Sequence, residues 1–94
     1  MADFKMDGNY FRDRNGNRLG EIDGNYIRDA SGNRIGEIDG QYIRDASGNK
    51  IGEFDGTTIR DSNGNNIGSI DDVRRVIDGH GGYSLVALWL FFIR

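Results

Sequence analysis

Few residues of this chain have the chemistry and spacing of a catalytic site. His80 is the only histidine, it lies among glycines, and the chain contains no cysteine. Catalysis needs a nucleophile beside a base, or two carboxylates in unequal surroundings. The carboxylates recur at regular spacing, as architectural residues do, whereas an active site is normally present once. The sequence therefore predicts a protein that is not an enzyme.

Two acidic stretches resemble fragments of calcium-binding loops. They are "DRNGN" from Asp13 and "DSNGNN" from Asp61. An EF-hand loop requires glycine at its sixth position and a bidentate acid at its twelfth. Counting from Asp61, the sixth residue is Asn66, so the pattern fails. We predict no metal site and no cofactor, and we interpret these aspartates as residues that flank turns.

Aromatic and basic residues recur together and could form a ligand-binding face. The set is Tyr10, Tyr26, Tyr42, Arg12, Arg28, Arg44 and Arg60. Tyrosine rings flanked by guanidinium groups can stack on sugars or on single-stranded bases. Glu21, Glu37 and Glu53 offset the arginine charge, and the net charge is −3, which argues against a phosphate-driven nucleic-acid binder. A polysaccharide is therefore favoured as a ligand over nucleic acid.

A sixteen-residue repeat fills most of the chain and must position these residues. "YIRDASGNRIGEIDG" begins at Tyr26 and returns from Tyr42 with two changes. Each unit contains two turn signals eight residues apart, such as Ser31-Gly32 and Asp39-Gly40. Asp-Gly and Asn-Gly favour type I′ hairpin turns. We predict an antiparallel meander with strands near 9–14, 17–22, 25–30, 33–38, 41–46, 49–54, 57–62 and 65–70, after a partial strand at 2–6. A parallel β-solenoid has the same period and is the alternative.

Two-residue turns define a register and the two faces of the predicted sheet. A turn at Asp39-Gly40 pairs Gly36 with Ile43, and a turn at Ser31-Gly32 pairs Asp29 with Arg34. One face then carries a line of apolar residues and glycines: Phe11, Gly20, Ile27, Gly36, Ile43, Gly52, Ile59 and Gly68. Beside it run charges of alternating sign, from Asp13, Arg18, Asp29 and Arg34 to Asp45 and Lys50. The opposite face carries the tyrosines together with Leu19, Ile35 and Ile51.

The last 24 residues break the repeat and supply a cover for the apolar face. A short helix is predicted from Asp71, as its cap, to about Ile77, ending at Gly79. The segment from Leu85 to Ile93 is entirely apolar and is too short to span a membrane as a helix. We favour a helix here, packed along the glycine line, and a final strand is the alternative. The fold class is mainly β with a C-terminal α segment, in one domain: 1–70 sheet and 71–94 tail.

A helix that is apolar on all sides must be buried on all sides. A flat sheet covers only one of them, so a second copy is the simplest completion. We predict a homodimer or higher homo-oligomer, with Leu85, Leu88, Trp89, Phe91 and Phe92 at its centre. The leading function is thus a structural, self-associating module, and a glycan-binding surface is the alternative. The N-terminus lacks the basic and apolar regions of a signal peptide, so we expect a cytoplasmic location.

The repeat unit resembles two groups of proteins. The pattern YIRDxxGNRIGxIDG before an apolar C-terminus is similar to that of short bacterial tandem-repeat proteins, a resemblance that covers nearly the whole chain and implies no activity. Tyr26, Asp29, Gly32, Asn33 and Arg34 are more loosely similar to the YD repeats of Rhs-type shell proteins. The unit here is shorter, and the chain is too short to form an enclosing shell.

Overall fold

The computed structural model describes residues 2–94, which form one ten-stranded sheet. Nine strands form an antiparallel meander in chain order, and the tenth pairs in parallel with the first. The strands are β1 Phe4–Asp7, β2 Tyr10–Asp13, β3 Arg18–Asp23, β4 Tyr26–Asp29, β5 Arg34–Asp39, β6 Tyr42–Asp45, β7 Lys50–Phe54, β8 Thr58–Asp61, β9 Asn66–Ser69 and β10 Ile77–Asp78. The predicted meander is confirmed, whereas β10 was not predicted.

The C-terminal region is helical. Helix α1 covers Ile70–Val76, α2 covers Tyr83–Leu88, and a π-helical turn covers Trp89–Ile93. The cap of α1 is Ser69 rather than Asp71, because Ser69 and Asp72 form a capping box in which each side chain accepts from the other's backbone N–H. The strand alternative for the tail is wrong.

The hairpin turns begin one residue later than predicted, which shifts the register. Asp39 pairs with Tyr42 and Gly36 pairs with Asp45, so Gly40 and Gln41 form the turn. Gly40 has φ 60°, and within residues 2–94 only glycines have positive φ. A type I′ turn needs positive φ at both central residues, whereas type II′ needs it only at the first. The turn at Gly40 and Gln41 is therefore of type II′ rather than the predicted type I′. Each residue therefore pairs two positions further along the partner strand than predicted. Because two is an even number, this shift leaves each side chain on its predicted face, but it removes the straight rows that were predicted across the sheet.

At the other end of the strands, each hairpin contains a β-bulge. Ile27 pairs with Gly36, but the next pair is Arg28 with Arg34, which leaves Ile35 unpaired. A bulge re-aims the side chains around it. Three residues next to the bulges were predicted on the polar face but pack against the core: Leu19, Ile35 and Ile51. Ile67, at the equivalent position of the last repeat, does the same. The predicted Asp29–Arg34 pairing is therefore wrong, and so is the alternating ladder built on it.

The sheet is rolled, because its two edge strands lie close together. β9 ends at Ser69 and β10 begins at Ile77, and the seven residues of α1 between them extend only about 10 Å. A flat ten-stranded sheet would be about 43 Å wide, whereas the longest extent of the molecule is 34 Å. The sheet therefore forms a ring, and α1 bridges the gap between its edges.

The tail fills this ring from inside. We call Tyr83–Ile93 the plug. Leu85, Val86, Ala87 and Leu88 are 0% exposed within the single chain. Four consecutive plug residues lie against the four repeat glycines: Trp89 on Gly68, Leu90 on Gly52, Phe91 on Gly36 and Phe92 on Gly20. Because successive helical residues point in different directions, the sheet must surround the helix, and the premise that one sheet covers only one side of it is wrong.

The π-helical turn fits the number of repeats. The Arg94 N–H donates to the Trp89 carbonyl over 2.9 Å, which is the i→i+5 bond of a π-helix. An α-helix rotates about 100° per residue, whereas five equal positions around a ring are about 72° apart. The wider π turn rotates less per residue and so brings one side chain to each repeat. Phe4, sixteen residues before Gly20, occupies the fifth position, and its ring stacks on Phe11 at 5.4 Å.

The helix axis follows the strand direction. Tyr83 meets Phe54 with ring centroids 5.1 Å apart, and Phe54 precedes the turn at Asp55. Phe92 lies on Gly20, which pairs with Asp29 beside the loop at the opposite end. The plug thus enters at what we call the turn end, with Gly8, Gly24, Gly40 and Gly56, and stops at the loop end. None of the helices within residues 2–94 has the length and hydropathy to cross a membrane.

Candidate functional site

The tyrosines predicted to form a ligand face lie on the outside of the ring. Tyr10, Tyr26 and Tyr42 are 37%, 37% and 40% exposed, and they are the most exposed large apolar side chains that the structure describes. They occupy equivalent positions at the starts of β2, β4 and β6 because the repeat places them there. Thr58 takes the same position in β8. The structure therefore brings the predicted tyrosines to one surface.

The neighbouring arginines are held by the fold itself. Arg28 Nε donates to Asp23 over 3.0 Å, and its terminal nitrogen donates to the Gly32 carbonyl over 3.0 Å. Arg12 and Arg44 make the same two contacts in their own repeats. Each of the three arginines therefore ties a turn on one side to a loop on the other, a structural role that was not predicted from the sequence. Arg60 occupies the equivalent position in β8.

Cations also lie over the tyrosine rings. Arg34 lies 4.9 Å from the ring centroid of Tyr26. Tyr10 and Tyr42 each have two cations within 6 Å, the nearer being Arg18 and Lys50 at 5.1 Å. These distances are typical of cation–π pairs. Cationic side chains of the same chain thus cover part of each tyrosine face, which reduces the area on which a sugar could stack.

The aspartates at the ends of the even-numbered strands organise the loops. Asp29 accepts the backbone N–H groups of Ser31 and Asn33, each over 2.9 Å, and the Asn33 side-chain amide over 3.2 Å. The same contacts recur at Asp13, Asp45 and Asp61. The backbone N–H of Asn33 is the main reason that the pKa of Asp29 lies below 3.8. The aspartates therefore stabilise the turns that they flank, as predicted from their positions in the sequence.

This arrangement predicts a loss of stability in acid. The pKa of Asp29 and of Asp45 is lower in the folded chain than in the unfolded chain, because turn N–H groups bond the charged form. The contribution is fully present above about pH 4 and is lost as the pH falls through the folded pKa. We expect the unfolding temperature to fall as the pH is lowered below about 4. The double variant Asp29→Asn/Asp45→Asn should show a smaller fall, and equal falls in both proteins would contradict this role.

A second candidate surface lies at the loop end, where the plug stops. Trp89, Leu90, Phe91, Phe92 and Ile93 are all partly exposed there, in contrast to the buried residues before them. Leu90 shares a shallow pocket of about 200 Å³ with Ile51, Ile67, Asp61 and Arg94. We call this surface the open end and define it by Trp89–Ile93 with Leu19, Ile35, Ile51 and Ile67. It is an apolar patch with both charge signs beside it.

The predicted oligomer-interface residues divide into two groups. Leu85 and Leu88 are fully buried in the chain's own core, so they cannot touch a second copy while the plug stays in its own ring. Trp89, Phe91 and Phe92 are partly exposed at the open end. The burial of the apolar residues could be predicted from the sequence, but the ring that surrounds the tail could not. Within residues 2–94, no three His, Cys, Asp or Glu side chains lie where they could hold a metal ion together.

The rolled repeat sheet with its own helical plug defines a class of protein: a tandem β-repeat fold closed around a central helix. The chain matches the family model of the 5-fold beta-flower protein over residues 3–91, and it belongs to that family. Five positions around the plug, four glycines and Phe4, agree with the five-fold description. The family has no assigned function and is not a known enzyme family. No curated protein and no solved structure matches the chain.

The match confirms part of the resemblance drawn from the repeat. It shows a tandem β-repeat family that covers nearly the whole chain. It does not extend to the YD repeats of Rhs-type proteins, and that similarity stays a prediction. The plug fills the interior of the rolled ring, so within residues 2–94 the structure leaves no enclosed space of the kind that a shell protein needs.

Proposed function

We propose that the chain is a non-enzymatic structural module that associates with copies of itself through the open end, in the cytoplasm. The observation that carries the proposal is the run of five large apolar residues, Trp89–Ile93, that stay partly exposed after a fully buried helical turn. Contiguous exposed apolar surface on a small protein typically marks an interaction site.

A second copy is the occupant that best fits the charges of this surface. Asp61 and Arg94 line the same pocket, so the open end carries both signs side by side. A two-fold contact brings the same patch from each copy together. A face with only one sign would repel itself, whereas this one can place an arginine near an aspartate of the other copy.

The proposal predicts a concentration-dependent mass. We expect light scattering after size exclusion to give more than the 10.5 kDa of one chain as the concentration rises. Glutamate at Ile51 and Ile67 should return the mass to that of a monomer, because a carboxylate at the patch must be desolvated on association. Both side chains lie partly exposed at the open end, and thermal unfolding would verify that the double variant folds.

The matched control is Tyr42→Ser, which alters the outer face at a side chain that is 40% exposed. It should leave the mass of the wild-type assembly unchanged. A wild-type protein that stays monomeric at every concentration would overturn the proposal, and so would an assembly that responds equally to both sets of substitutions.

Glycan binding by the outer face is the second candidate function, favoured by the exposure of Tyr10, Tyr26 and Tyr42. It predicts retention on a polysaccharide gel that Tyr26→Ala/Tyr42→Ala abolishes without changing the solution mass. The Ile51→Glu/Ile67→Glu variant provides the reciprocal control, since it should keep the retention and lose the association. Equal retention of wild type and the tyrosine double variant would exclude the outer face as a glycan site.

A further inference from the structure

The interior of the ring is a binding site for a helical apolar segment. It offers one contact per repeat, and each glycine provides the space that a side chain of the plug occupies. A methyl group on Gly52 would lie 3.0 Å from Leu90 Cδ1, and one on Gly20 would lie 2.6 Å from Phe92 Cζ. Specificity therefore comes from matched shapes at several repeats, and none of these contacts requires that ring and plug belong to the same chain.

The plug is joined to the ring only through a short glycine-rich hinge. Gly79, Gly81 and Gly82 are three of the four residues between β10 and α2. Gly81 has φ 94°, a conformation that glycine adopts at little cost. A methyl group on Gly81 would meet no atom within 4 Å, so this residue is free of packing contacts and is the point at which the hinge can change direction. A shift from a bend to an extended path would direct the plug away from its own ring.

The ring itself has a place where it can open. In the strand order of residues 2–94, β9 and β10 are the two edges, and no strand pairing joins them. Only α1, with the capping box of Ser69 and Asp72, spans the gap. All other neighbouring strands are hydrogen-bonded to each other, from β10 through β1 to β9. Release and entry of the plug therefore need movement at one position, while the repeats stay paired.

We propose that the ring also accepts the plug of a second copy, which gives an exchanged dimer with each plug seated in its partner's ring. Exchange of identical elements conserves every contact of the monomer, so it is a low-cost route to a dimer. The two rings meet at the turn end, where the hinge enters. This proposal goes beyond association at the open end and does not depend on it, because the two contacts use opposite ends of the ring. In the exchanged form, Leu85 and Leu88 contact the other copy.

Cysteine cross-linking tests the exchange, because the natural chain has no cysteine. Two full-length variants, Gly52→Cys and Leu90→Cys, are unfolded together, refolded at high concentration and oxidised. Neither chain alone can bridge positions 52 and 90. In the Gly52→Cys chain, the natural Leu90 crowds the new side chain, whereas a plug that carries Leu90→Cys relieves that contact. We expect an interchain 52–90 disulfide, identified by peptide mass mapping, that increases with the refolding concentration.

Two matched samples define the outcomes. The double variant Gly52→Cys/Leu90→Cys in one chain should bridge internally at low concentration, which shows that the two sulfur atoms can meet. A mixture of Leu90→Cys with Gly8→Cys, an open position in a turn, measures chance pairing. At least tenfold more cross-link than in that mixture supports exchange. A bridge in the double variant without one in the mixed variants overturns exchange, even where light scattering shows that open-end association is intact.

Discussion

Replacing Gly36 by alanine is expected to lower the free energy of unfolding by about 2–3 kcal/mol, or about 10–20 °C in unfolding temperature. An added methyl group would collide with the Phe91 ring and would lie 2.7 Å from the Arg44 carbonyl oxygen. The Phe91 side chain could move slightly, but the Arg44 carbonyl belongs to the sheet backbone and cannot move. Fluorescence of Trp89, the only tryptophan, can follow denaturant unfolding.

Gly68→Ala is the matched control, because it is the same change in the same repeat position. There the nearest atoms are the Asp72 carboxylate and the Trp89 ring, both at 3.3 Å. These side chains can shift by the few tenths of an ångström required, so the stability should stay within about 1 kcal/mol of wild type. Gly52→Ala, with contacts at 3.0 Å, should fall between the two. Equal losses at Gly36 and Gly68 would contradict the close contact of the plug with the sheet.

The second large effect is expected in the plug itself. Leu88→Ala should cost about 2–5 kcal/mol, because Leu88 is 0% exposed and its truncation leaves a cavity at the centre of the ring. Leu90→Ala removes the same atoms from the next helical turn, but Leu90 is partly exposed. We expect that change to cost less than about 2 kcal/mol. Denaturant unfolding of both variants measures the difference, and equal costs would show that the plug is not enclosed as described.

Much of the local structure could be predicted from the sequence. The period of sixteen, the turn glycines and the apolar alternation specify nine of the strands and the face of most side chains, whereas Leu19, Ile35 and Ile51 were predicted on the wrong face. The expectation that the glycine line receives the tail is confirmed by the contacts of Gly20, Gly36, Gly52 and Gly68. These features depend on local backbone preferences and on burial, which leave a direct pattern in the residues.

The rolling of the sheet could not be predicted in the same way. It depends on turns such as the type II′ turn at Gly40, which shifts the register of its hairpin by two residues, and on bulges such as the one beside Ile35. Both features alter curvature while leaving the apolar pattern unchanged. A flat sheet and a ring therefore present the same sequence pattern, and only the flat sheet requires a second copy to enclose the tail.

For the candidate surfaces too, features set by local alternation could be predicted from the sequence, whereas features set by the register and the rolling of the sheet could not. The exposed tyrosines were identified correctly as outward-facing, because their face depends only on alternation. The roles of Arg12, Arg28 and Arg44 were not, since their partners Asp7, Asp23 and Asp39 become neighbours only through the shifted register. For the tail, an apolar composition indicated burial but did not identify the chain that provides it.

The most direct test of the account is to measure nuclear Overhauser contacts in the monomeric fraction of the wild-type protein. The rolled ring predicts contacts from the Phe92 ring to Gly20, from the Phe91 ring to Gly36 and from the Trp89 ring to Gly68, all within one chain. Side chains of one helical turn can reach three different repeats together only when the sheet surrounds the helix. Contacts limited to one or two neighbouring repeats would indicate a helix lying across a flat sheet. They would contradict the rolling of the sheet into a ring.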